Sequence, residues 1–361
     1  MATLAANKNK SHLYSLDLIK AIGIVLVINS HLDVIYGDPL IATGGALGNS
    51  LFFLASGVGL GYGWAHRGRE KFVSWYKRRL VRIYPSLTLI NVIATLIAFV
   101  VTKQPPQEIF GFFVYPTAYF FIAAILLFYI PGYFLLWMQS TKAILLALLI
   151  SAVIYAIWYA QLDLSVFNIE GGSFFRWIFY FMVFALGLLY ARIKTFKGTA
   201  DLAAQRLVGF FSALSVHRFP ALACSLGLFA FSKFLFRGSS PAVMNFQFLV
   251  QIFTLALTWY VFMASEFVAA RLHANRYAWP VISLLSAITL ELYLLDRYVD
   301  PYVNASDAII ASLNLILPLE IKSRFLAVIL LWFFLVALAV GLSRCSGFLA
   351  GLFRSPKPIQ A

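Results

Sequence analysis

Charge is scarce along this chain. Asp, Glu, Lys and Arg make up 12% of its 361 residues, about half the share found in a soluble globular domain, which excludes an ordinary soluble fold. Cysteine is scarcer still. Cys224 and Cys345 both fall in apolar runs and read as small buried side chains, so the sequence offers no disulfide framework and no Cys/His metal cluster. No internal repeat, low-complexity tract or soluble appendage is visible. The polar, basic start "MATLAANKNKSH" is followed by an apolar run without a small-residue cleavage pattern, so that run reads as a retained span rather than a signal peptide.

What is abundant is hydrocarbon. Hydrophobic residues reach 62%, Phe alone numbers 35, and the mean hydropathy is +0.86. These values point to an all-α polytopic membrane protein. About 20 apolar residues cross the hydrocarbon core, and on that measure ten spans are expected, near 14–36, 44–64, 83–102, 116–138, 143–162, 173–191, 219–236, 243–264, 280–298 and 324–343. Pro105, Pro106, Pro116 and Pro131 interrupt 103–142, where a short re-entrant piece is the alternative to a span.

The basic residues divide unequally between the two sides. With both termini cytoplasmic, 20 Lys and Arg fall in cytoplasmic segments and 5 in the opposite loops, as the positive-inside rule requires. Most acidic residues lie on the outer side. The net charge of +14 thus reflects topology and gives no support to a nucleic-acid partner. The longest outer loop, 299–323, is expected to pack back on the membrane surface, and residues 1–361 read as one membrane-embedded domain.

Charged groups inside spans are costly and usually face the protein interior. In "SLDLIKAIGIVLVINSHLD" (15–33), Asp17 and Lys20 are an i,i+3 pair. His31 lies eleven residues beyond Lys20, about three helical turns, so all three share one face. Snorkelling and interfacial anchoring are the bland reading; a general base at His31 is the sharper one. In "FVSWYKRRLVRIYP" (72–85), Arg79 and Arg82 project from one helical face beside Pro85, where the helix is expected to kink or begin again. They suit a bidentate phosphate clamp, whereas Lys77 and Arg78 read as positive-inside residues. In "GGALGNSLFFLASGVGLGYGW" (44–64), Gly57, Gly59, Gly61 and Gly63 alternate, permitting close approach of a helix or a ligand. Glu291 and Asp296 are carboxylates in the ninth span, while Arg176 and Lys233 read as snorkelling residues or structural partners.

Together these blocks resemble the acyltransferase-3 family of integral membrane O-acyltransferases. The resemblance rests on Lys20 and His31 eleven apart, "FFLASG" at 52–57, Arg79-x-x-Arg82 before Pro85, and "ELYLLD" at 291–296. It implies a ten-helix core in a bacterial inner membrane. Cytoplasmic acyl-CoA, most commonly acetyl-CoA, would be the donor, and a hydroxyl of a cell-surface polysaccharide or lipid-linked glycan the acceptor. By the motif match His31 is the catalytic base, with Lys20 and Asp17 as its charged companions. Arg79 and Arg82, with Ser56 and Gly57, fall on the donor side. Asn29, Ser30 and Ser56 are candidate oxyanion donors. No metal is implied. The chain departs from the family pattern in having Lys20 for Arg, Val58 for an aromatic and Asp296 for the late-motif His. The residues alone leave two other classes open: a secondary transporter or flippase, and a non-catalytic subunit of a polysaccharide-assembly complex.

Overall fold

In hydrocarbon every backbone N–H and C=O must be satisfied inside the chain, which leaves helices as the natural solution for a sequence with 62% hydrophobic residues. The computed structural model describes residues 2–32, 36, 41–103, 109–166, 169–170, 174–195, 202–236, 240–297 and 324–352. Among these residues it is helical without strands. The helices are α1 (Ala2–Ser30), α2 (Gly45–Arg67), α3 (Phe72–Thr102), α4 (Phe120–Met138), α5 (Thr141–Tyr159), α6 (Phe175–Thr195), α7 (Leu202–Val216), α8 (Arg218–Leu235), α9 (Phe248–His273), α10 (Ala278–Ala287), α11 (Thr289–Asp296) and α12 (Arg324–Leu352). A π-helical turn, Phe110–Val114, precedes α4, and a further one-turn helix, Pro241–Met244, lies between α8 and α9.

Seven described helices are long and apolar enough to cross a membrane, or eight when α10 and α11 are taken as one broken span, against the ten expected. α2 falls short because its glycines and Asn49 dilute its hydrophobicity. α3 begins at Phe72 rather than near 83, and it carries Pro85 within its length without restarting there. The ninth span is not straight: α10 and α11 meet at Ile288 with a 62° bend. The basic start is helical as part of α1, and α7 occupies a segment expected to be a cytoplasmic connection. The outer loop 299–323, with Pro105 and Pro106, lies outside the described residues.

The described residues form two compact units. The first comprises 1–27, 43–69 and 124–286, the second 28–42, 70–123 and 287–361. In the first, α2 packs along α6, α5 lies against α6, and α9 packs on both α2 and α8. Glycine makes the α2–α6 contact possible. A Cβ on Gly57 would stand 2.1 Å from the Phe184 carbonyl oxygen, and one on Gly187 2.5 Å from that of Leu54. One turn on, a Cβ on Gly61 would meet that of Ala191 at 2.4 Å. Of the two small-residue faces on α2, only the Gly57–Gly61 face touches α6; Gly59 and Gly63 have open space or ordinary contact.

In the second unit α3, α11 and α12 pack on one another, and Trp75, Ile83, Leu87, Leu292, Leu335 and Ala339 of these helices are buried. Elsewhere large apolar side chains point outward, among them Leu146, Leu149, Val153 and Ile157 of α5, as expected of surfaces that face lipid. Cys224 and Cys345 are exposed for the same reason, not buried as their apolar surroundings suggest. A membrane helix turns an apolar face outward, so apolar neighbours do not imply a core position.

Candidate functional site

α11 is eight residues long, and Glu291, Leu292, Leu294, Leu295 and Asp296 of it are buried. The break at Ile288 frees it from the line of α10, and its sequence "TLELYLLD" carries a carboxylate near each end. At the far end is Asp296, 2% exposed. Its Oδ2 lies 2.6 Å from Nδ1 of His31, the residue after α1 ends. The imidazole side chain is 38% exposed while that of Asp296 is 3% exposed, so the ring rests on a buried carboxylate and stays reachable. An ionised carboxylate only accepts hydrogen bonds, so with Asp296 ionised a neutral imidazole carries its proton on Nδ1 and keeps its lone pair on Nε2. This arrangement suits proton abstraction at Nε2, with the carboxylate holding the tautomer and balancing the imidazolium that forms.

The segment next to His31 is braced by Asn29. Its Nδ2 donates to the Ile41 carbonyl at 2.9 Å, and its Oδ1 accepts from the Tyr36 hydroxyl at 2.8 Å. Both ends of this amide thus engage residues that follow α1; an amide nitrogen carries two N–H groups, so these bonds do not by themselves remove the donor role expected from the sequence.

Near the start of α11, Glu291 is 5% exposed and accepts hydrogen bonds from Ser86 of α3 at 2.7 Å and Ser346 of α12 at 3.4 Å. A carboxylate in the first turn also meets the positive end of the helix dipole. Between the two acids, the Tyr293 hydroxyl accepts from the Phe121 backbone N–H at 3.0 Å. Just past the helix, Arg297 donates to the Ala118 carbonyl at 2.8 Å, with its guanidinium over the rings of Phe112 and Tyr119. α11 is therefore pinned along its length.

Arg79 and Arg82 lie on α3 in the same unit. Arg79 folds back along its helix, its Nη1 donating to the Trp75 carbonyl at 2.7 Å and its guanidinium 3.8 Å from the centroid of the Trp75 ring. Trp75 itself is 2% exposed, which fixes the guanidinium plane against a buried indole. Arg82, one turn on, is exposed, and Arg78 pairs with Glu70.

The remaining site candidates belong to the first unit. Lys20 Nζ lies 3.2 Å from Asp17 Oδ1, the i,i+3 pair expected from the sequence. Ser286 of α10 closes the triangle, accepting from Lys20 at 3.3 Å and donating to Asp17 at 2.6 Å. Gly57 is taken up by the α2–α6 contact, and Ser56 beside it is half-buried. Lys233 pairs with Glu170 at 2.8 Å, and Arg176 donates to the Glu170 carbonyl at 3.2 Å, which makes both structural partners.

Ser86, Ser286 and Ser346 escaped the sequence reading because a serine in an apolar run carries no signal of its partner. A signal did exist for Asp296: an acid replaces the late-motif His in the segment that resembles the family's.

A family model described as an acyltransferase domain matches residues 13–345. No curated protein and no solved structure matches the chain.

Proposed function

The chain belongs to the acyltransferase-3 family over nearly its whole length, and from that premise we propose that it moves an acyl group, most simply acetyl, from cytoplasmic acyl-CoA to a hydroxyl of a cell-surface polysaccharide or lipid-linked glycan. The family makes it a membrane acyltransferase, and its run of apolar helices agrees with a multi-pass protein. The donor, the acceptor, the bacterial inner membrane and the cytoplasmic termini belong to the proposal. The single observation that carries the reaction is the 2.6 Å contact between His31 Nδ1 and buried Asp296.

In this reading Nε2 of His31 takes the proton of the acceptor hydroxyl as its oxygen attacks the thioester carbonyl. The C–O bond forms, the tetrahedral oxyanion collapses, and the C–S bond breaks to release CoA thiolate, which takes the proton back from the imidazolium. Asp296 stays ionised and holds the ring. Arg79 and Arg82 clamp the phosphates of the donor, Arg79 already oriented by Trp75. Glu291 keeps α11, and with it Asp296, in place. Lys20 occupies the position of the family's basic residue; bound to Asp17 and Ser286, it ties α1 to α10. Holding both reactants in one site supplies a large part of the rate.

The test is thioester turnover. Purified protein is given acetyl-CoA and a surface-glycan extract, and free CoA thiol is followed for the wild type and His31→Ala. Release that depends on both the extract and His31 is expected. Release indifferent to His31 overturns the assignment of the base.

A further inference from the structure

The first unit also holds a cavity of about 280 Å³, where the last turns of α2, α4 and α6 meet the start of α5. Its lining is of two kinds. Leu135, Leu136 and Ile144 make an apolar wall. Opposite in character, Arg192 brings a permanent cation, its guanidinium oriented by a hydrogen bond from Nη2 to the Gln139 carbonyl. Trp64 also lines the cavity. It is 6% exposed, packed edge-on against Tyr133, and its indole N–H has no acceptor among the described residues.

Indole nitrogen can only donate, and a buried donor without an acceptor is destabilising. A donor-only group and a guanidinium in one small cavity are complementary to an anion with several oxygens. The apolar wall matches a hydrocarbon portion on the same ligand. The approach is basic as well. Arg67 and Arg69 flank Gly68 of the lining and are exposed, and Arg69 is held over the Trp137 ring at 5.4 Å.

We propose that this cavity binds an anionic, phosphate-headed amphiphile. Phosphoryl oxygens accept from Arg192 and the Trp64 indole, and the first carbons of the chain lie along Leu135, Leu136 and Ile144. None of its lining residues is among those proposed above for acyl transfer, and its occupancy does not depend on that reading. The phosphate can belong to a membrane lipid or to a soluble phosphate compound; the experiment separates the two.

The full chain in detergent is titrated with phosphatidylglycerol, with diacylglycerol and with inorganic phosphate, and bound lipid is counted by native mass spectrometry. Saturable binding of one phosphatidylglycerol is expected, with diacylglycerol weaker by about tenfold or more and Arg192→Gln weakening the phospholipid on the order of tenfold, the effect of losing one charge-assisted contact. Trp64→Phe, which keeps the ring and removes the N–H, should weaken it several-fold. Arg192→Lys, which keeps the charge, carries the comparison if Arg192→Gln does not fold. Competition by inorganic phosphate at similar concentration would support the site and identify the soluble source. Equal binding of phosphatidylglycerol and diacylglycerol would overturn the proposal, as would indifference to both Arg192 and Trp64. Displacement of the lipid by acetyl-CoA would also overturn it, by making the cavity part of the donor site.

Discussion

Asp296→Asn isolates what the carboxylate does for His31, because Asn keeps the size of a side chain that is 2% exposed and removes only its charge. Two things change together. The attraction between the carboxylate and the imidazolium formed during reaction disappears, about 4 kcal/mol at a separation of about 4 Å and an effective dielectric of about 20. The amide can also turn its NH2 toward Nδ1, which stabilises the tautomer protonated at Nε2 and removes the base. A neutral hydrogen bond recovers part of the loss, so about 3 to 4 kcal/mol is expected in the barrier, or two to three orders of magnitude in kcat at about 1.4 kcal/mol per tenfold. The donor KM should hardly move, since Asp296 has no place in the phosphate clamp. The assay is the thiol-release assay at saturating acetyl-CoA, with Tm measured in the same detergent. Combining Asp296→Asn with His31→Ala should be no worse than His31→Ala alone, because the two residues act as a unit. Turnover by Asp296→Asn within threefold of wild type, at unchanged Tm, would refute the dyad.

Arg79→Ala with Arg82→Ala should weaken acetyl-CoA binding by about ten- to a hundredfold, the scale of one or two charge-assisted contacts, and calorimetry giving an unchanged Kd would refute the clamp. Glu291→Gln removes the charge that accepts from Ser86 and Ser346 and should lower stability by about 1 to 3 kcal/mol; wild-type Tm and turnover together would reduce Glu291 to packing. Gly57→Ala should destabilise by about 3 kcal/mol or prevent folding, because its Cβ would meet a backbone carbonyl that cannot rotate away. Gly59→Ala, with its nearest neighbour 3.9 Å away, is the matched control and should leave Tm within a degree or two.

Features that repeat within a helical turn were legible in the sequence. Asp17 and Lys20 pair because i,i+3 residues on a helix are neighbours whatever surrounds them. The small-residue stripe on α2 is similarly local, although which of its two faces is used depends on Gly187 and Ala191, far along the chain. His31 was legible as an imidazole at the end of an apolar helix; its link to Asp296 was not, because 265 residues separate them and periodicity carries no information about such pairing. The bend at Ile288 is equally hidden, as "SAITLELYLLD" contains neither Gly nor Pro. At Pro85 the reverse occurred: a residue that usually breaks helices is accommodated inside α3, so this local preference yields to packing.

The separation between His31 and Asp296 also sets a clock on biosynthesis. At about 5 to 20 residues per second, the ribosome takes roughly ten seconds to a minute to travel from one to the other. Ser346, which helps seat the helix bearing Asp296, emerges later still. A nascent chain halted anywhere before residue 296 lacks the carboxylate, however many of its helices are already inserted. The dyad is thus a late product of translation, and truncated chains left in the membrane cannot assemble it.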